Sequence, residues 1–262
     1  MRFEVSGVVA YAATGGMPID PEKESVVFIH GVGHDHTVWV LPSRYFARHG
    51  RNVLALDLPG HGRSGGAPLE TIEEMADWVI DAVEAAGLEK AAMVGHSMGS
   101  LVALDAASRH PQRVRALVMV GVSFPLAVAE PLMRSAKQDS HDAIDMLTYW
   151  DRGNAATVGG SPTPGMWMAG EGMRLLERAG PGVIHTDLAA CDGYTEGAQR
   201  ASAVRCPTLL LLGERDRLTP VRGAQSIRET IADQDTVVFE GAGHPLLLER
   251  SDPVLDELIK VV

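Results

Sequence analysis

Met93-Val94-Gly95-His96-Ser97-Met98-Gly99-Ser100 is the stretch that decides the fold. A short apolar run, Ala91 to Val94, leads into it, and a helix-like segment, Met98 to Arg109, leads out. A serine between two glycines at a strand-to-helix turn is the Gly-x-Ser-x-Gly elbow, and the flanking strand and helix give the pattern its meaning. So sharp a turn forces the serine into strained backbone angles. Side chains two positions to either side would strike the neighbouring strand and helix, so Gly95 and Gly99 are the residue types it needs. The Ser97 hydroxyl is then left exposed above the sheet. The Met98 N–H, at the positive end of the new helix, points toward negative charge forming there.

A serine hydroxyl is a poor nucleophile at neutral pH; it needs a base, and the base needs an orienting acid. Thr208 to Leu212 reads as a buried strand and runs straight into Gly213-Glu214-Arg215-Asp216-Arg217-Leu218-Thr219-Pro220. An acid just past the carboxyl end of a parallel strand sits where ligands bind in open α/β sheets. Asp216 is the expected acid. Glu214 is the alternative, but nearer the strand it is expected to point sideways. Val237-Val238-Phe239-Glu240 likewise ends in Gly241-Ala242-Gly243-His244-Pro245, which brings His244 over the same edge as the expected base.

The 262 residues suffice for one large α/β domain, or one domain carrying an insertion. Apolar residues at 45% and charged residues at 22% are ordinary for a globular protein. A net charge of −11 argues against a nucleic-acid partner and against anionic membranes. No apolar run reaches transmembrane length, and Met1-Arg2-Phe3-Glu4-Val5 lacks the pattern of a signal peptide. With Cys191 and Cys206 as its only cysteines, the chain is expected in a reducing cytoplasm.

Eight strand candidates alternate with helical patterns, the signature of a mostly parallel sheet covered on both faces. Phe3 to Val5 and Val8 to Tyr11 read as a hairpin. The others are Val26 to Ile29, Val53 to Leu56, Ala91 to Val94, Ala116 to Val120, Thr208 to Leu212 and Thr236 to Phe239. Thr71 with Glu74 three residues on is a capping box, opening a helix that Gly87 stops. Val221 to Ile231 and Pro253 to Ile259 are the later helices. Between Val122 and Val204 strand-like runs vanish, and Gly, Pro and Met accumulate. Helices are expected near Leu126 to Asp151 and Glu171 to Ala179, with a loop from Asn154 to Gly165. The expected organisation is therefore a core of residues 1–122 and 204–262, with 123–203 as a helical lid insertion.

With Ser97, Asp216 and His244 in that chain order, the sequence resembles the α/β-hydrolase superfamily over nearly its whole length. Phe28-Ile29-His30-Gly31-Val32-Gly33 looks like that family's oxyanion-hole loop, and Asp57-Leu58-Pro59-Gly60-His61-Gly62-Arg63-Ser64 is similar to the segment after its next strand. The resemblance implies an oxyanion hole made by the Val32 and Met98 backbone N–H groups. It also implies an eight-stranded, mostly parallel sheet, and acyl transfer without a cofactor. The pattern is closest to the carboxylesterase, monoacylglycerol-lipase, enol-lactone hydrolase and carbon–carbon hydrolase branch. Haloalkane dehalogenases and epoxide hydrolases carry aspartate at the elbow, which Ser97 argues against. The expected substrate is a small to medium uncharged ester or lactone. The alternatives are carbon–carbon hydrolysis of vinylogous diketone acids, which needs a cationic pocket for the substrate carboxylate, and a non-catalytic ligand-binding member.

His30, His34, His36, His61 and Asp35 do not show zinc spacing, and no metal is expected. His30 and His61 are read as loop-fixing residues, as the resemblance implies; His34 and His36 either line the mouth of the site or are solvated. His96 is expected to be buried, pointing away from Ser97, and Glu249 to tie down the His244 loop. Trp150, Met166, Trp167 and Met168 are the candidate lining of an apolar substrate pocket.

Overall fold

The computed structural model describes residues 1–153 and 167–262. One eight-stranded sheet runs in the order β1-β2-β4-β3-β5-β6-β7-β8. Its strands are β1 (Arg2–Val5), β2 (Val8–Ala13), β3 (Ser25–Ile29), β4 (Asn52–Asp57), β5 (Ala91–His96), β6 (Val114–Val120), β7 (Thr208–Gly213) and β8 (Gln234–Phe239). β1 and β2 form the expected hairpin, and β2 pairs antiparallel with β4; every other pairing is parallel. β3, β4, β5 and β7 are buried along their whole length, which explains their unbroken apolar reading in the sequence.

Side chains alternate between two cores. Val27, Ile29, Met93 and Leu117 pack beneath α2 (Ile72–Ala85) and α3 (Met98–Arg109). Val26, Phe28, Val94 and Val118 pack on the opposite face against α1 (Val40–Arg48) and the Ser251–Val261 helix. The Thr71 hydroxyl accepts the Glu74 N–H at 3.1 Å, the first half of the expected capping box, while the Glu74 carboxylate accepts the N–H of Glu70 at 3.2 Å rather than that of Thr71.

Between β6 and β7 the helices differ from expectation. The single stretch expected from Leu126 to Asp151 is two helices, α4 (Glu130–Lys137) and α5 (His141–Trp150). They are separated at Asp139, whose φ is 48°, and the Ser140 side chain caps the second by accepting the Asp142 N–H. The next helix among the described residues, Met168–Leu176, starts three residues before the expected Glu171. Helices Val183–Gly193 and Gly197–Ala203 were not expected. The first has no single apolar stripe to betray it, because Leu188 faces a cluster with Leu132, Leu147 and Leu176 while Ala190 and Cys191 join the core under α3. The loop read from Asn154 to Gly165 lies outside the described residues.

The sheet's central turn has the geometry its glycines imply. Ser97 adopts φ 55° and ψ −120°, and its N–H donates to the Val120 carbonyl at 2.9 Å. A Cβ on Gly95 would collide with the Gly99 backbone, and one on Gly99 with the Ile29 and His30 carbonyls. These clashes are with backbone, so no rotamer change relieves them. Gly99→Ala is therefore expected to cost at least about 3 kcal/mol or to prevent folding. Denaturant unfolding of the purified variant checks this, and a wild-type midpoint with full activity would contradict it.

Candidate active site

Asp216 follows β7 in a turn of its own making. Its Oδ1 accepts the Leu218 and Thr219 N–H groups at 2.9 and 2.7 Å, and this local capture aims Oδ2 at His244. His244 Nδ1 lies 2.7 Å from Asp216 Oδ2. The Thr219 hydroxyl donates to the same Oδ2 at 2.6 Å and sits 3.0 Å from His244 Nδ1. With Nδ1–H given to the carboxylate, the opposite nitrogen, Nε2, is left as the basic one.

The His244 loop is held on two sides. Its N–H donates to the Asp151 carbonyl, and Glu249 accepts the Gly243 and Gly153 N–H groups at 2.9 and 3.1 Å, the tethering role expected of it. Gly121, at the end of β6, has φ 63°, and a Cβ there would lie 3.1 Å from the His244 ring. Sequence reasoning missed both Thr219 and Gly121. A threonine three residues after the acid was a visible signal for the first; nothing local marks the second.

Ser97 and His244 line one cavity of about 190 Å³, together with Gly31, Val32, His34 and His96. Asp216 stands behind His244, buried at 4% exposure. Met98, fully buried, is the first residue of α3, and Val32 is part of the cavity wall. Glu214 is exposed and accepts the Gly241 N–H at 2.9 Å, turned aside from His244 as expected.

Of the four candidate pocket residues, Trp150 lines the cavity. Trp167 does not: it is 67% exposed, and its ring lies along its own helix over Gly170. Met168 is buried outside the lining, and its carbonyl accepts from Arg152 Nη2 at 2.8 Å. Met166 lies outside the described residues. The apolar wall comes instead from Leu126, Leu132, Leu147, Leu176 and Leu188, all between β6 and β7.

Charge in the site is sharply partitioned. Burial opposes the His244 cation, but the Asp216 carboxylate outweighs it and raises the imidazole above its ordinary 6.5. Burial likewise pushes Asp216 up, and the His244 charge with its hydrogen bonds holds it below 3.8. His96 and His34 go the other way: burial, reinforced by the nearby His244 charge, lowers both, His34 to about 4. His96 points into the site region rather than away from it, with its ring 4.8 Å from that of His244 and its Nε2 3.2 Å from the His244 carbonyl. Burial pushes the cavity-lining Cys191 thiol far up, which leaves it a poor nucleophile.

His30 and His61 fix loops. His30 Nε2 accepts the Leu58 N–H at 3.1 Å, and the two rings lie 4.7 Å apart. Asp35, His36 and Asp57 bring potential ligand atoms within 4.8 Å of one another. Their carboxylate oxygens are already taken: Asp57 accepts from His36 and the Arg63 N–H, and Asp35 from Thr37 and Arg178. Among the described residues no helix is long and apolar enough to cross a membrane.

A mostly parallel sheet with a serine at its central elbow and an Asp–His pair over the same edge defines a hydrolase of the α/β class. The chain belongs to the alpha/beta hydrolase family, whose sequence profile matches residues 26–257. It is 25% identical to (E)-2-((N-methylformamido)methylene)succinate hydrolase of Acinetobacter baylyi, over 89% of this chain and 88% of that one. It is 29% identical to a pimeloyl-[acyl-carrier protein] methyl ester esterase of Chromobacterium violaceum, over 87% and 90% respectively. A thermophilic esterase of known structure superposes with a TM-score of 0.80 at 28% identity, covering 99% of this chain and 95% of the other.

The partition of charge is directly measurable. In an NMR titration His244 and His61 should lose their protons only above pH 6.5, while His34 should stay neutral down to about 4. A His244 resonance titrating below 6.5 would show that Asp216 does not outweigh burial.

Proposed function

We propose that the protein is a cofactor-free serine hydrolase acting on small to medium uncharged carboxylic esters or lactones. The observation that carries this reading is the Asp216–His244 pair, 2.7 Å apart, opening onto the same cavity as the left-handed Ser97. His244 Nε2 takes the Ser97 proton as Oγ attacks the substrate carbonyl, and Asp216 stabilises the imidazolium. The Val32 and Met98 N–H groups hold the oxyanion, an arrangement in which one donor is worth about 2.7–4 kcal/mol. His244 then protonates the departing alcohol oxygen, which in a lactone stays joined to the acyl chain. In the second half His244 deprotonates water, which attacks the acyl-enzyme; the acid leaves, and the proton returns to Ser97. The esterase relatives support the ester chemistry, and the mainly leucine-lined wall supports an uncharged substrate.

The segment 123–203 serves in this reading as the lid that sets substrate choice, since it supplies most of the apolar wall. A second reading rests on Arg217, which lines the cavity, is exposed and has no ion pair among the described residues. It favours a substrate bearing a carboxylate, the requirement of the carbon–carbon hydrolase alternative. A panel of neutral esters, carboxylate-ended esters, lactones and ring-fission diketone acids separates the two.

Ser97→Ala should fold normally and lose both ester hydrolysis and fluorophosphonate labelling; labelling retained in that variant would place the nucleophile elsewhere. Activity should rise with pH as His244 becomes neutral, with the acid limb above 6.5. Asp216→Asn removes the charge that raises the imidazole, so the limb should move to lower pH while kcat falls about 10⁴-fold. Trp150→Ala should shift the optimum across an acyl-chain series yet leave labelling by a small phosphonate unchanged. Uniform loss of both would mean that Trp150 only supports the fold.

A further inference from the structure

We propose that Asp187 is a positioning residue for the oxyanion loop: from the Val183–Gly193 helix its carboxylate holds the Gly33 N–H and the His61 ring, and so fixes the adjoining Val32 N–H. The proposal rests on the serine-hydrolase reading above. It gives that reaction a component outside the triad and the hole.

Asp187 is fully buried. Its Oδ2 accepts the Gly33 N–H at 2.8 Å and His61 Nε2–H at 2.9 Å. The other His61 nitrogen faces the Pro59 carbonyl at 2.9 Å. A carboxylate and a carbonyl both only accept, so the ring carries hydrogen on both nitrogens and is a cation, which balances the buried acid. Burial opposes that charge, and Asp187 outweighs it, raising His61 above its ordinary value. Asp57 also favours the cation, while the His61 charge disfavours protonation of His30 and His34 and so helps keep them neutral; Asp35, His36, Arg63 and Arg178 line the same surface pocket as His61.

The same helix, through Ile184, and the end of the Met168–Leu176 helix close on the loop with apolar contacts. Gly33 has φ 64°, and a Cβ there would lie 3.0 Å from both Ile184 and Leu176. The loop's own turn is tied by the His34 N–H to the Gly31 carbonyl at 3.2 Å. Gly31, inside that turn, backs directly on the elbow, since a Cβ on it would lie 3.1 Å from Ser97 Cβ. Val32 therefore sits between two constraints, Gly31 against Ser97 and Gly33 against Asp187. Releasing the second lets the Val32 N–H rotate away from the nascent oxyanion.

Displacement of a catalytic group by about 1 Å costs on the order of 10²-fold, and loss of one whole hole donor about 10²–10³-fold. Asp187→Asn keeps the shape and removes the charge. It is expected to lower kcat about 10- to 100-fold with KM changed less than about threefold. The affinity for a trifluoromethyl ketone, whose adduct places an oxyanion in the hole, should fall by the same factor as kcat/KM. The affinity for the matching neutral amide, which develops no such charge, should stay within about threefold. His61→Gln, which leaves Asp187 free to accept the Gly33 N–H, should show the same pattern at about 3- to 10-fold and serves if the Asn variant does not fold. A folded variant of either kind with wild-type kcat and ketone affinity would overturn the proposal. So would equal losses of ketone and amide affinity, which mark a general structural role. Phosphonate labelling of Ser97→Ala separates this from failure of the underlying reading: if labelling persists there, the serine mechanism itself falls.

Discussion

Ser97 holds a backbone conformation that a residue with a side chain adopts only under compulsion, and the compulsion comes from how closely α3 approaches the sheet. Gly99 lies against the Ile29 and His30 carbonyls, and Gly95 against Gly99 itself, so β3, β5 and α3 meet with no side chains between them. That contact sets the height of the hydroxyl above the sheet and the direction of the first helical N–H. The Ser97 N–H to Val120 bond fixes the same residue to the next strand, β6. Asp216 and His244, which follow β7 and β8, come to the same edge as this turn because β7 runs parallel beside β6, and β8 beside β7. Strand strain of about 1–3 kcal/mol at one residue is tolerated because two fully packed cores hold the strands in register.

Around that turn the protein places several of its ten histidines, and their environments divide them. His244 and His61 each face a buried carboxylate and hold their protons more tightly. His30, His34 and His96 are buried without one and stay neutral. In the cavity shared with Ser97, His244 is thus a titrating imidazole set beside neutral rings. Asp151 extends the theme. It lines the same cavity, and burial raises its carboxyl to about 7 despite Arg152 3.2 Å away.

The fold and the order of the three polar residues were legible because each depends on a local pattern: an apolar run, then glycines, then the functional residue. Asp216 could be preferred to Glu214 from its distance past the strand, and the Gly241 contact of Glu214 accords with that preference. The helices between β6 and β7 were harder. The Val183–Gly193 helix is buried on two sides by different clusters, so its sequence shows no stripe. Choosing Trp167 and Met168 as pocket residues rested on residue type alone, and size and polarizability say nothing about which face of a helix looks inward. Asp187 meets Gly33 across 154 positions of sequence, a pairing that leaves no trace in any local window.

The segment between β6 and β7 leaves and re-enters the sheet at adjacent parallel strands, a topology that invites exchange of one such segment for another. The polar ties described above set terms for that exchange. A grafted segment that filled the same volume but lacked an acid at the place of Asp187 would strand the His61 charge in an apolar interior. One that lacked the backbone of Asp151 and Gly153 would leave the His244 N–H and one Glu249 oxygen without their acceptor and donor. Chimeras built by matching shape alone would thus be poor catalysts for reasons unrelated to substrate fit. Those that carry over these few polar anchors could vary the cavity wall within the volume that the leucine cluster fills.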